Sequence, residues 1–524
     1  MKKIILLLLL YSKVIYGQTS YDIIIRNGKI IDGTGNSWYY ADIAIKDGKI
    51  MEIGKLSSTT ATNIIDAKGL IVAPGFIDVH GHIETGIFTR PTADNYIYDG
   101  VTTVITGNCG GSEINIPLFF KRIDSAGTSI NIATLVGHNT VRAAIMGRDN
   151  RQPNLEEQQK MELLVEQCMK DGALGLSTGL IYVPGTYAKT EEVVGLAKAA
   201  AKYGGLYASH IRNEESSVSE AIEEAINVGR QANLPVQISH FKVGGKANWG
   251  RSTETLGLIA QARREGWDVT IDQYPYAASS TNLGVRLPSW AVAGTQDSIN
   301  TRIKNLETRK QIIKEMLAEI NRYKFKNYSF AVVANYGADS TYNGKNISEI
   351  NKMMGRKAKP KEEAETILDM IEKGGAQMIY HSMNEVDVKN IMKYPFSMIG
   401  ADAGVPTPGI SMPHPRAYGT NARILGKYVR EEKVISLEEA NRRMTSLAAQ
   451  KFHLKDRGLL KEGMAADIVI FDEKEVNDKA TFEQPHQYSI GFKFILVNGQ
   501  LVLENSLHTT IKSGRALYGT GMVR

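Results

Sequence analysis

Short apolar runs closed by turn residues alternate with amphipathic helical periods through the middle of this chain. The apolar runs end near residues 76–80, 102–109, 131–138, 173–177, 206–210, 235–240, 268–274 and 396–402. Apolar positions at three- and four-residue spacing fill 155–171, 190–203, 217–232 and 253–265, the period of a helix with one buried face. Strand–helix alternation of this kind builds a parallel sheet, and eight strands predict a (β/α)8 barrel. The gap between 274 and 402 is too long for one strand–helix unit. It carries an apolar run at 329–335 and helical stretches at 301–322 and 361–372. An inserted subdomain is expected at about 283–345, able to lie over the barrel mouth as a lid.

The two ends of the chain follow a different rule, period two. Residues 21–32 read as two strands around Asn27-Gly28, and 41–50 as two strands around Asp47-Gly48, both hairpin dipeptides. Near the other end 466–472 and 494–503 repeat the design. The termini are therefore expected to meet as a small β-sandwich, 18–73 with 455–524, and the barrel to occupy 74–454.

Composition narrows the class. The chain has 524 residues, 43% hydrophobic and 23% charged, enough for a large domain plus a smaller one. A formal charge of +6 includes Lys2, Lys3 and Lys13 and is otherwise unclustered, so it argues for neither nucleic acid nor an anionic membrane. Residues 1–17 read as a signal peptide: Lys2 and Lys3, then apolar Ile4 to Leu10, then small Gly17 before Gln18. That run is shorter than the ~20 residues of a span. The expected location is outside the cytoplasm, periplasmic or secreted. Two cysteines, Cys109 and Cys168, do not make a disulfide scaffold.

The ends of the apolar runs carry the chemistry. His80 and His82 stand at i and i+2, which places both imidazoles on one side of a strand end. Alone, H-x-H is a short motif that matches by chance. Here Cys109, His210, His240 and Asp402 also fall at strand ends, the reactive face of such a barrel. Nitrogen, thiolate and carboxylate are the donors Zn²⁺ favours. Six exceed the needs of one tetrahedral ion, and two ions sharing a bridge would use them better.

The segments PGFIDVHGH (74–82), GVTTVITGNCG (100–110), ASHIR (208–212), ISHFK (238–242), DQYPY (272–276), GAD (400–402), HPRAYGT (414–420) and GLLKEGMAADIVIFD (458–472) resemble the N-acyl-D-amino-acid deacylases, or D-aminoacylases, of the amidohydrolase superfamily. The resemblance runs from about Tyr21 to the C-terminus. It implies a (β/α)8 barrel with a β-sandwich, and zinc-dependent hydrolysis of N-acyl-D-amino acids to a D-amino acid and a carboxylate. It implies that Cys109 replaces the carboxylated lysine used as metal bridge by many relatives, and residues 172–179 indeed contain no lysine. It implies one tight zinc on Cys109, His210 and His240 and a second, weaker site on His80, His82 and Asp402. Cys168 is left as buried filler.

A zinc-bound water has its pKa lowered to about 7. Asp402 is expected to take the proton of that water and pass it to the leaving amine. The resemblance assigns the substrate α-carboxylate to Lys242 with a tyrosine, Tyr274 or Tyr276. Arg212 is a further candidate. His138, His414 and Arg416 are expected in supporting roles, and His381, His453, His486 and His508 as structural or surface residues. Two departures stand out: Glu84 where relatives carry Asp, and Ala401-Asp402-Ala403 where they carry S-D-G. Alternative activities are a D-amino-acyl dipeptidase or a cyclic amidase of the hydantoinase kind, and least of all a non-catalytic binding protein. The missing lysine weighs against the cyclic amidase, and Asp402 against the binding protein.

Overall fold

The structure, a computed structural model, describes residues 21–56 and 59–522; residues 1–17, expected to be a signal peptide, lie outside the described residues. Eight parallel strands form the barrel wall: Phe76–Asp78, Val101–Thr106, Asn131–Thr134 continued by Val136–Gly137, Gly175–Gly179, Leu206–His210, Val236–Ile238, Val269–Gln273 and Ser397–Ile399. The first closes on the last where Val79 N donates to Ile399 O and Gly81 bridges to Ala403. The third meets the fourth where Leu174 N donates to Thr134 O. Inside, Ile77, Ile105, Ala133, Leu174, Leu206 and Met398 pack with Leu447, Ala448 and Phe452. A filled barrel leaves only its C-terminal end open for chemistry.

Both chain ends enter one sandwich-like sheet of nine strands. Strand Ile468–Phe471 shows how it is shared. Ile468 and Ile470 face the sandwich core with Ile45, Ile50 and Val72, while Val469 and Phe471 face the barrel core with Phe76 and Phe492. Side chains alternate across a strand, so one run serves two cores.

Three expectations change. Asn27-Gly28 is not a hairpin: Tyr21–Ile30 runs straight through it, with a register shift between Ile25 and Gly28. Asn27 takes a left-handed φ of 59° and donates to Asp66. This bulge bends the strand, so its first half pairs with Ala61–Asp66 and its second with Ile71–Pro74. Asp47-Gly48 and Asn498-Gly499 do turn hairpins.

The inserted unit extends past 345. Strand Gln377–Tyr380 lies between Ser279–Asn282 and Ala331–Asn335 in a separate sheet, and a separate core spans Leu283 to Tyr380. The central strand comes last in sequence, so the unit cannot close before it.

The C-terminal segment leaves the sandwich after Leu507–His508 and returns to the barrel, where Gly514 bridges to Thr128 and Gly519 N donates to Gly172 O. A Cβ on Gly514 would sit 2.0 Å from Ile130 O.

Asp467 joins sandwich to barrel. It accepts from buried Arg457, from Asn131 Nδ2 at 3.0 Å and from Asn498 N at 2.6 Å. Asp467→Ala leaves the buried Arg457 with only the half-exposed Asp456 as partner and removes the acceptor of Asn131 and Asn498 N, and should cost about 3 kcal/mol in urea-denaturation stability. A loss below about 1 kcal/mol, the range of an exposed pair, would contradict this role.

Candidate active site

All six expected donors meet at the open end of the barrel. Cys109 Sγ is the centre of three histidines, 3.3 Å from His80 Nε2, 3.4 Å from His240 Nε2 and 3.6 Å from His210 Nδ1. His82 Nε2 lies 3.2 Å from Asp402 Oδ1, and His80 Nε2 3.7 Å from the same oxygen.

Backbone conformation aims these groups. Cys109, His240 and Asp402 hold φ of 53°, 35° and 51°, a region costly for residues with a Cβ and frequent at active sites. The turn around Cys109 is built for it. A Cβ on Gly107 would meet Leu135 O at 2.2 Å, and one on Gly110 would meet Asn139 Oδ1 at 2.2 Å. At the other end, Asp402 N donates to His80 O, and Ala403 O accepts from His82 N and the Tyr96 hydroxyl. Ala403 thus links the His80–His82 loop to the eighth strand through its backbone alone. Glu84 Oε1 accepts from Thr106 Oγ1 at 2.6 Å and from Gly107 N at 2.8 Å, so the glutamate holds the two loops together.

Electrostatics separate the roles. Burial would raise the pKa of Asp402, but Arg416, 2.9 Å away, and the hydrogen bond from His82 outweigh it and hold the carboxyl well below its usual range. Burial lowers His210 to about 4, and burial with Lys242 holds His240 well below the usual imidazole range. Both are neutral near pH 7, the form that offers a lone pair to a metal. Burial, then Asp402 and Glu214, push the Cys109 thiol well up.

Sequence reasoning missed the acids behind the donors. Glu214, four residues after His210, places Oε1 2.9 Å from His240 Nδ1 and 2.6 Å from Lys242 Nζ. Asp272 accepts from His240 N at 2.8 Å and lies 3.7 Å from His80 Nδ1. Asp78 accepts from His80 N and Ala401 N. A signal existed: each acid sits inside a segment already singled out, or two residues beyond one.

The donors group in three sets of close atoms: His80, Cys109 and His240; His80, His82 and Asp402; His210, Glu214 and His240. The second is the set expected for a weaker ion. The expected trio Cys109, His210, His240 is divided between the other two sets. The donors suit a cation on chemical grounds. Buried Nδ1 of His80 and Nε2 of His210 have no hydrogen-bond partner, and three imidazole nitrogens converge on one sulfur.

Lys242 is buried and points into an inner cavity of about 220 Å³, lined also by His210, His240, Tyr274 and Asp402. Its ammonium is 5.7 Å from the Tyr274 ring, and Arg416 lies 4.4 Å over that ring. Tyr276 packs instead against His414 and Phe482, away from this cavity. Arg212 reaches the cavity wall but its guanidinium is engaged. It donates to Glu224 through Nε and Nη2, to Ala188 O and to Thr186 O, so it braces the 184–188 loop and does not offer a free cation. His138 pairs with buried Glu192 at 2.8 Å, and His414 meets Ala278 O at 3.0 Å and accepts from Arg416 N. His486 contacts the Tyr418 hydroxyl and His508 accepts from Thr510 N, while His381 rests on Phe482. His453 carries φ of 56° in a turn, and Cys168 is buried with its thiol on Ile114 O.

Arg286 also escaped the sequence reading. It is 9% exposed in the same cavity, with Glu319 at 3.6 Å and Glu215 at 3.9 Å, and its Nε has no partner. Burial opposes its charge, but those two carboxylates push its pKa up.

Residues 63–518 match the Amidohydrolase family. The chain belongs to that family. It is 36% identical over 505 residues to N-acyl-D-glutamate deacylase of Alcaligenes xylosoxydans xylosoxydans, covering 92% of this chain and 93% of that protein. Its fold superposes on the crystal structure of N-acyl-D-glutamate deacylase from Bordetella bronchiseptica, complexed with zinc and a phosphonate mimic of the tetrahedral intermediate. The TM-score is 0.82 at 35% identity, over 95% of this chain and 100% of the other. A D-aminoacylase structure, described for one-metal activation and second-metal attenuation of its binuclear centre, superposes with a TM-score of 0.81 at 33% identity, over 95% and 100%. This amidohydrolase therefore shares its architecture with both deacylase structures over 95% of the chain. Among the described residues no helix is long and apolar enough to cross a membrane.

Proposed function

We propose that this amidohydrolase hydrolyses N-acyl-D-amino acids with the help of zinc, and that its preferred substrates carry an acidic side chain. The relatives named above support the reaction. The side-chain preference rests on one observation: Arg286, nine-tenths buried in the cavity that the donors line, leaves Nε without a partner and meets Glu319 and Glu215 only at 3.6 and 3.9 Å. A buried guanidinium with an unpartnered N–H and two loosely held acids in a ligand cavity matches a further carboxylate.

His80, His82, Cys109, His210, His240 and Asp402 would hold the metal, with Cys109 central and Glu214 orienting His240 through Nδ1. Bound zinc supplies positive charge that acidifies water and polarises a carbonyl. One ion held tightly and a second more weakly fits three overlapping donor sets that share His80 and His240. The other steps belong to side chains. Asp402 Oδ takes the proton of the attacking water and delivers it to the amine nitrogen as the C–N bond breaks. Arg416 keeps Asp402 ionised for the first transfer. Lys242, with the Tyr274 hydroxyl, holds the α-carboxylate, and Arg286 the side-chain carboxylate. The products are a D-amino acid and a carboxylate. Lys2, Lys3 and the apolar run that follows support work outside the cytoplasm.

A panel of N-acetyl-D- and N-acetyl-L-amino acids tests this. Turnover should be confined to D substrates, highest for glutamate or aspartate. Arg286→Met should cut kcat/KM for the acidic substrate by about 10–150-fold, the worth of one charged hydrogen bond, and spare neutral ones. Equal loss on both classes would remove Arg286 from substrate recognition.

A further inference from the structure

The inner cavity accounts for two of the three groups around the scissile amide. The third, the acyl group, must leave across the barrel mouth, an open cavity of about 600 Å³ lined by His82, Cys109, Asp402 and Arg416. A second chamber of about 560 Å³ opens beside it, between the 181–186 loop and the inserted unit. Tyr182, Asn282, Asn335 and Gln377 line both spaces. Its walls include Val183, Leu283, Leu287, Val292 and Ile299. Nothing in the hydrolysis derived above uses this chamber.

Tyr182 is the partition. Its ring stands 4.8 Å from the His210 ring and its hydroxyl is 3.0 Å from Thr281 Oγ1, where the inserted unit begins. One face therefore looks on the metal donors and the same residue borders the chamber. A chamber of this size is in the range of small-molecule sites, and an acetyl group would leave it empty. Walls of aliphatic side chains return free energy only when apolar surface fills them.

We infer that the chamber is an acyl subsite and that the enzyme prefers medium-to-long aliphatic acyl groups over acetyl. This rests on the proposed deacylase reading. The inserted unit then does more than cover the mouth: by presenting Val285 and Val292 over its buried Leu283, Leu287 and Ile299 it sets acyl length.

The test is kcat/KM along N-acetyl-, N-butanoyl-, N-octanoyl- and N-dodecanoyl-D-glutamate with the full-length protein. Each methylene that becomes buried can add up to about fourfold, so a rise of at least about tenfold from acetyl to octanoyl is expected even if few are fully buried. Val292→Trp, which fills the chamber away from the donors, should erase that rise while acetyl turnover stays within about twofold, the scatter of a distant substitution. Gln296→Trp, on an exposed rim position, should do the same and serves if Val292→Trp does not melt cooperatively. A flat profile or a preference for acetyl overturns the acyl subsite and leaves the deacylase reading standing. Equal loss on acetyl and octanoyl in both variants also overturns it. No turnover of any acyl-D-glutamate or other acyl-D-amino acid, with zinc bound, removes the deacylase reading itself.

Discussion

Asp402→Asn should lower kcat by about 10²–10⁴, the usual contribution of a positioned acid–base group. Asparagine keeps the size of the side chain and tolerates the left-handed φ of 51° that this position requires. Its amide oxygen still accepts from Arg416. What it loses is the ability to take a proton and give it back. The effect should therefore appear in kcat with KM little changed, and the thermal midpoint should stay near that of the parent. Retained zinc, measured by elemental analysis, keeps the result distinct from loss of a ligand. Asp402→Glu is the useful companion. It restores a carboxylate, but one methylene longer, next to an Arg416 fixed over Tyr274 at 4.4 Å. It should recover little, because a proton relay depends on position more than on charge. Undiminished turnover in the asparagine variant would sink the assignment.

The barrel and its donors were legible because each donor ends an apolar run, and a parallel strand delivers its last residues to one face of the sheet. That logic needs no long-range information. It found His80, His210 and His240, which meet around the sulfur of Cys109, and His82 and Asp402, which join them through His80. It failed where a residue's partner is distant in sequence. Arg212 lies two positions beyond His210, as Lys242 lies two beyond His240, yet Glu224 of the following helix and two backbone carbonyls take up the Arg212 guanidinium, while Lys242 pairs with Glu214 among the donors. Arg286 belongs to no strand of the barrel and is carried to the donors by the inserted unit. The end of that unit was misplaced for a related reason: its central strand, Gln377–Tyr380, is paired with segments about 45 and 100 residues earlier, and pairing at such separation leaves no local pattern. Asn27-Gly28 misled in the opposite way. The dipeptide does adopt the left-handed turn conformation it favours at Asn27, but the strand absorbs it as a bulge because Ala61–Asp66 and Ile71–Pro74 pair on either side of the bend.

Stripping the metal with a chelator should abolish turnover and lower the thermal midpoint together, and returning Zn²⁺ should restore both. The stability half of this result follows from the donors alone. Three imidazoles, a sulfur and a carboxylate are held within a few ångströms, with His80 Nδ1 and His210 Nε2 unpartnered and three of the six residues in left-handed backbone. Such a cluster costs folding free energy that a bound cation offsets. A ligand present at about a thousand times its dissociation constant stabilises the folded state by about 4 kcal/mol. Cys109→Ala separates this from a general effect of chelation. It removes the atom on which the three histidines converge, so its midpoint should respond much less to chelator or zinc, the remainder coming from the two donor sets without the sulfur. A glycine at the same position adds a second test, since it also removes the cost of φ at 53°. Cys109→Gly should therefore be more stable than Cys109→Ala by about 1 kcal/mol, the cost of a left-handed residue, while both stay inactive. If Cys109→Ala still gained stability on zinc addition as the parent does, the sulfur would not be the centre of the site.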